Sequence, residues 1–204
     1  MKNLLNPGHS KILQLFYDNK KAGIHLRDIA RKTKLNENSA TRFLKQLEEE
    51  GVLISKKDGN LKKYYINLKK LDKIGYIFTS FDLERFNKLP SLRKRAIEYY
   101  LNNLEEKPII AFLFGSSAKG TFRNDSDIDL LLIVNKKIDD ESGKKYADSQ
   151  AGLKIQSFQI NYKDFLKELK LKDDKVIQSA LNTGYPILNQ MLFYEAVLNQ
   201  ENFL

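Results

Sequence analysis

The stretch FGSSAKGTFRNDSDIDLLLI, Phe114 to Ile133, constrains the fold more tightly than any other part of the chain. The run PIIAFLF that leads into it is short, apolar and bounded by Pro108 and Gly115, which predicts a buried strand, and DIDLLLIV from Asp127 to Val134 predicts another. On a strand, residues i and i+2 share a face, so Asp127 and Asp129 project the same way with Cα atoms about 7 Å apart, while Ile128 turns into the core. Two like charges so close are costly unless a cation neutralises them. Their hard oxygen atoms suit Mg²⁺, which binds through a few carboxylates together with substrate phosphates. At the other end, Gly115 permits a sharp exit from the first strand, and Ser116-Ser117 opens a short helix whose N–H groups face an anion. A phosphate-binding end beside a metal-binding end describes a nucleoside triphosphate site.

A Gly-Ser pair, ten residues from Ser117 to Ser126, and then Asp-hydrophobic-Asp after a strand resembles the signature of the polymerase-β-like nucleotidyltransferase superfamily, above all its minimal, small-protein branch. The resemblance covers about residues 90–198 and is strongest over 112–134. It implies a small mixed β-sheet flanked by helices, Mg-ATP or another NTP as substrate, and transfer of a nucleotidyl group with release of pyrophosphate. Carried onto this chain, it implies that Gly115 and Ser116 hold the β- and γ-phosphates, with Ser117 beside them, and that Asp127 and Asp129 are the catalytic, metal-binding pair. Lys119 and Arg123 lie in the loop where they could contact phosphates, and Ser126 could fix the first aspartate. The family pattern also asks for a third carboxylate on a following strand. The candidate strand here, LKIQSFQI from Leu153 to Ile160, contains none. Gln156 or Gln159 stands in its place, and a neutral amide cannot act as a base at neutral pH. Asp148 and Asp164, which flank the strand, are the alternative carboxylates.

Charge divides the chain. Residues 1–70 hold 16 Lys and Arg against 7 Asp and Glu, whereas residues 71–204 hold 19 of each, so the net charge of +9 lies in the first third. A segregated excess of this kind attracts a polyanion. The same third reads as helix, helix, turn, helix: Ser10 to Asn19 with Ile12, Leu13, Leu15 and Phe16; LRDIARKT; and ENSATRFLKQLEEEG with Ala40, Phe43, Leu44 and Leu47 at helical spacing before Gly51. Two alternating runs joined by Asp58-Gly59-Asn60 then predict a hairpin. Three helices and a hairpin, over about residues 8–68, resemble the winged helix-turn-helix domain of bacterial and archaeal regulators. That family sets its third helix in the major groove and its hairpin along the backbone of double-stranded DNA. With the apolar residues turned inward, Asn38, Arg42 and Lys45 project outward and Ser39 and Thr41 lie at the margins. Arg42 can read guanine edges and Asn38 adenine. Lys56, Lys57, Lys62 and Lys63 on the hairpin suit phosphates. A solvated face, or a protein-docking module, is the alternative. His9 and His25 lie beside helix starts without a second ligand at metal spacing, which predicts capping or surface roles.

The expected organisation is a DNA-binding domain over 1–70, a helical connector over 71–107, and a transferase domain over 108–204 whose first helix occupies 91–104, capped by Ser91 and ended by Pro108. The connector's Phe78, Phe81 and Phe86 could pack the domains together, pair two chains, or form an ordinary buried helix face. Past Tyr162, three helices separated by Gly184 and Pro186 are expected. The fold class is α+β. Without cysteine the chain holds neither a disulfide nor a thiolate metal site, and its start, MKNLLNPGHS, lacks an apolar leader. No apolar run approaches the roughly 18 residues needed to span a bilayer, so a cytoplasmic setting and no membrane partner are expected. These features support an Mg²⁺-dependent nucleotidyltransferase tied to DNA binding. They also admit a regulator that senses a nucleotide without reacting, and an antitoxin-like protein that binds or adenylylates a partner toxin.

Overall fold

The computed structural model describes residues 6–19 and 22–198. Met1–Leu5, part of the stretch read for a leader, and residues 199–204 at the end of the expected transferase domain lie outside them. The chain forms two compact units that divide after Phe78. No helix among the described residues is long and apolar enough to cross a membrane.

The first unit begins with α1 (Pro7–Asp18), three residues earlier than its apolar pattern suggests. Pro7 at the first helical position and the Asn6 side chain, which accepts a hydrogen bond from Gly8 N at 2.8 Å, account for the earlier start. A two-residue strand β1 (Ile24–His25) follows, then α2 (Leu26–Thr33) and α3 (Glu37–Glu49). Asn36 caps α3 by accepting from Ser39 N at 2.8 Å, and Gly51 at φ +71° ends it as expected. Strands β2 (Leu53–Asp58) and β3 (Leu61–Ile66) pair antiparallel around Gly59-Asn60, and the sheet runs β1-β3-β2. Ile12, Leu13, Phe16, Ile29, Leu44 and Leu47 are fully buried between the helices.

His9 departs from the expected capping or surface role, whereas His25 keeps a surface one. His9 lies inside α1 and is 2 % exposed; its ring meets Phe43 edge-on at 5.0 Å, and Nε2 lies 3.0 Å from Gln46 Oε1. It is a core residue. His25 makes no capping bond and instead sets Nε2 3.3 Å from Asp58 and Nδ1 3.1 Å from the Lys62 carbonyl.

Helix α4 (Leu71–Asn87) contains the boundary between the units, and α5 (Ser91–Asn102) follows it with Pro90, not Ser91, at the capping position. Phe78 and Phe81 are buried within the chain and Phe86 packs partly buried against the core of the second unit. The proposed chain-pairing face is therefore not an exposed one. The second unit continues with β4 (Ile110–Phe114), α6 (Gly115–Lys119), β5 (Ile128–Val134), α7 (Glu141–Ala151), β6 (Ile155–Asn161), α8 (Tyr162–Leu171), α9 (Lys175–Thr183), β7 (Tyr185–Leu188) and α10 (Gln190–Leu198). Its sheet runs β6-β5-β4-β7; β5 and β6 are parallel, joined through α7, and the other pairs are antiparallel. Helix α7 had no counterpart in the sequence reading. Strand β7 takes the place of a helix break: Pro186 lacks the N–H a central strand needs, and it sits on the sheet's edge beside a register irregularity.

Alternation along the strands sorts the sheet's two faces. Ala111, Leu113, Ile128, Leu130, Leu132 and Ile155 bury one face in a core shared with Ala96, Ile97, Tyr100, Ala147 and Ala151 of α5 and α7. Phe112 on the other face meets Phe193 of α10 edge-on at 4.6 Å. Phe114, Asp129 and Gln156 belong to this second face, at the end where β4 finishes and β5 begins.

Candidate nucleotide site and nucleic-acid interface

The antiparallel pairing of β4 with β5 sets Phe114 opposite Asp129, so the residue after Phe114 must pass directly over the Asp129 side chain. That residue is Gly115. Its φ is +67°, and a Cβ built on it would lie 2.1 Å from Asp129 Oδ2. Both the turn into α6 and the contact with the carboxylate therefore require glycine. Helix α6 is five residues long and closes at Gly120, φ +70°.

Asp127 sits just before β5 and is exposed; Asp129, two residues on, is half-buried. Burial, and secondarily the charge of Asp127, raise the Asp129 carboxyl above the usual carboxylate range. The pair thus carries an electrostatic penalty that a cation would relieve. Two hard carboxylates fit a divalent ion that completes its shell from water and phosphates. Among the described residues no group of three or more His, Asp or Glu converges to hold a metal.

The parallel register of β6 against β5 sets Gln156 opposite Asp129, and Gln156 is exposed. Gln159 is on the other face of the sheet, where its amide bonds both the N–H and the carbonyl of Ile138 at 2.9 Å. Asp148 is on α7, and Asp164 is in α8, paired with Lys167 at 2.8 Å. Of the candidates for the third position, Gln156 alone is in register with the aspartate pair.

The remaining loop residues separate into two groups. Ser116 is half-buried at the start of α6, and Lys119 and Arg123 are exposed. Ser117, by contrast, is 2 % exposed and its Oγ accepts from Arg93 Nη1 at 2.9 Å. Ser126 Oγ accepts from Arg123 N at 2.9 Å, closing the turn before Asp127. Two arginines missing from the sequence reading brace this region. Arg93 Nη2 donates to the carbonyls of Arg123 and Ser126, at 2.7 and 3.0 Å. Arg85 donates to the Ala118 carbonyl at 3.0 Å and lies 4.2 Å from the Tyr185 ring centroid. A signal for Arg93 existed: it falls at i, i+3, i+4, i+7 with Ala96, Ile97 and Tyr100, on the apolar stripe of α5, where a charged residue demands a buried partner.

In the first unit, α3 buries Ala40, Phe43, Leu44 and Leu47 and leaves Asn38, Thr41, Arg42 and Lys45 exposed, with Ser39 at the margin. Arg42 lies over the Phe43 ring at 5.0 Å, and Lys45 is within 3.9 Å of Glu49 across an exposed helical turn. The hairpin register sets Lys56 opposite Lys63 and Lys57 opposite Lys62. Like charges directly across a ladder are destabilising. Lys63 is partly relieved by Asp58 at 2.7 Å, which raises the lysine's proton affinity and lowers that of the carboxyl. Lys56 lies over the Tyr65 ring at 5.5 Å.

Comparison with known families matches each unit to one family. Residues 9–54 match the family described as winged helix-turn-helix DNA-binding, and residues 94–191 match the family described as polymerase beta, nucleotidyltransferase. No curated protein and no solved structure matches the chain. The chain joins a winged helix-turn-helix DNA-binding domain to a nucleotidyltransferase domain of the polymerase β type.

Proposed function

We propose that the protein transfers a nucleotidyl group from an Mg²⁺-bound NTP, ATP being the first to test, to an acceptor, and that its winged helix brings this activity to double-stranded DNA. The observation that carries the proposal is the fit of Gly115 over Asp129. A backbone that leaves no room for a Cβ sets a half-buried carboxylate directly against the turn into α6.

In this reading Ser116 and the backbone after Gly115 hold the β- and γ-phosphates, Lys119 and Arg123 approach them from the loop, and Ser126 shapes the turn that presents Asp127. Asp127 and Asp129 hold the divalent cation. When bound, Mg²⁺ supplies charge neutralisation for the pyrophosphate that leaves and lowers the proton affinity of the attacking hydroxyl. Gln156 can orient an acceptor by hydrogen bonding but takes no proton, so the acceptor's proton passes to water or to the substrate. On the DNA side, Asn38, Ser39, Arg42 and Lys45 face the bases, and Lys57, Lys62 and Lys63 face phosphates.

Gln156 also favours a second reading, in which the domain binds Mg-NTP without reacting and reports nucleotide levels through DNA binding. Incubating the purified protein with Mg²⁺ and ATP labelled at the α-phosphate, with and without cell extract, separates the two. Transfer of label with stoichiometric pyrophosphate release supports the enzyme. Nucleotide binding without pyrophosphate release, together with an ATP-dependent change in DNA affinity, supports the sensor.

A further inference from the structure

We propose that Arg93 is a positioning residue for the nucleotide: its one buried guanidinium ties the phosphate end of the site to the metal end and sets their separation. The inference rests on the nucleotide reading above. Arg93 is 3 % exposed on α5, and removing a guanidinium from water is costly unless its donors are all engaged. Among the described residues, every partner of its side chain lies in the segment from Ser117 to Ser126. Nη1 donates to Ser117 Oγ at 2.9 Å, within α6; Nη2 donates to the Arg123 carbonyl at 2.7 Å and to the Ser126 carbonyl at 3.0 Å, the residue before Asp127. The Phe122 ring stacks against Cζ at 4.1 Å. A planar fork that reaches both feet of the loop fixes their spacing, which an ammonium cannot do from a single point.

The second feature is charge. No carboxylate lies within ion-pairing distance of Arg93 among the described residues; a hydroxyl, two carbonyls and a ring face surround it. Burial accordingly pulls its proton affinity below the usual arginine range. An ordinary structural arginine in a protein interior is paired with an acid, because an uncompensated buried cation is expensive. Here the positive charge is left for an anion outside the loop, and the NTP is the anion the site would receive. Arg93 therefore acts on binding twice, by holding Ser117 against Ser126 and by supplying unneutralised charge.

The full-length protein tests this by calorimetry of ATP with and without Mg²⁺, alongside Arg93→Lys, Arg93→Gln and Ser117→Ala. Loss of one charged hydrogen bond corresponds to about a tenfold change. Arg93→Lys, which keeps the charge and loses the fork, is expected to lower Mg-ATP affinity about tenfold, while its affinity for ATP alone changes less. Ser117→Ala, which removes one bond of three, should show the same pattern at about threefold. Should Arg93→Gln fail to fold, these two variants still decide the matter. A residue that only stabilised the fold would lower both affinities by the same factor, so equal loss, or no loss in either variant, overturns the proposal. Wild-type protein that binds no nucleotide would overturn the reading beneath it instead.

Discussion

Gly115 and Asp129 occupy each other's space: the atom missing from the glycine is the one that would lie 2.1 Å from the carboxylate. Gly115→Ala is therefore expected to destabilise the protein by about 1–2 kcal/mol from its left-handed backbone alone, and to abolish Mg²⁺-dependent nucleotide binding by displacing Asp129. Gly120 is the control, since it shares the left-handed backbone, φ +70°, but a Cβ there meets nothing within 4 Å. Gly120→Ala should show a similar loss in melting temperature and keep nucleotide binding. Equal loss of binding in both would mean that the turn matters and the carboxylate contact does not.

The raised proton affinity of Asp129 has a consequence for stability. A carboxyl whose folded pKa lies above its unfolded value of 3.8 favours the fold when protonated, so its contribution is lost as pH rises through the folded pKa. Asp129→Asn is accordingly expected to raise the melting temperature of the metal-free protein at neutral pH, and the advantage should vanish below pH 3.8. Thermal melts across that range check it. A variant less stable than wild type at neutral pH would contradict the electrostatic account of the pair.

The wing's facing lysines predict how DNA binding responds to salt. Replacing Lys57, Lys62 and Lys63 by Ala should reduce the slope of log K against log salt by roughly 2, because Lys63 is already partly engaged by Asp58. The same change removes the Lys57–Lys62 repulsion, so the variant should not melt earlier. Arg42→Ala should instead relax preference among DNA sequences by about 1–3 kcal/mol at one base position. An unchanged salt slope in the triple variant would remove the wing from the interface.

Much of the fold could be read from local pattern, and the parts that could not depend on distant partners. Apolar periodicity outlines α3, β4 and β5, and Asp58-Gly59-Asn60 marks the hairpin, because each of these is determined by neighbours in sequence. Strand β1 is two residues long and exists only through its pairing with β3, Ile24 with Tyr64 and His25 with Lys63. Strand β7 carries a proline that argues against a strand everywhere except on an edge, and the edge is assigned by topology. At the site, the DxD pair and Gly115 were legible from their spacing. Arg93 was marked only by its place on the apolar stripe of α5, and its partners could not be read because they lie 24 to 33 residues away. Choosing Gln156 over Gln159 likewise needed the β5–β6 register, because residues three apart on a strand face opposite ways.

That register makes Gln156 a place to alter the site's charge. Gln156→Glu sets a third carboxylate opposite Asp129, adding like-charge repulsion in the metal-free protein and a hard ligand once a cation is present. The metal-free melting temperature is expected to fall, and the rise produced by Mg²⁺ should exceed that of wild type. A melting temperature insensitive to Mg²⁺ in both proteins would argue against a cation at this position.

The central claim is that Asp127, Asp129 and the Gly115 turn form one Mg²⁺-dependent NTP site, and calorimetric titration of ATP into the full-length protein tests it most directly. Wild type should bind ATP in the presence of Mg²⁺ and more weakly with chelator, and Asp127→Asn combined with Asp129→Asn should lose the Mg²⁺-dependent gain, because triphosphate charge is then left uncompensated. Absence of binding to wild type at millimolar ATP and Mg²⁺, or identical binding by wild type and the double variant, would contradict the account.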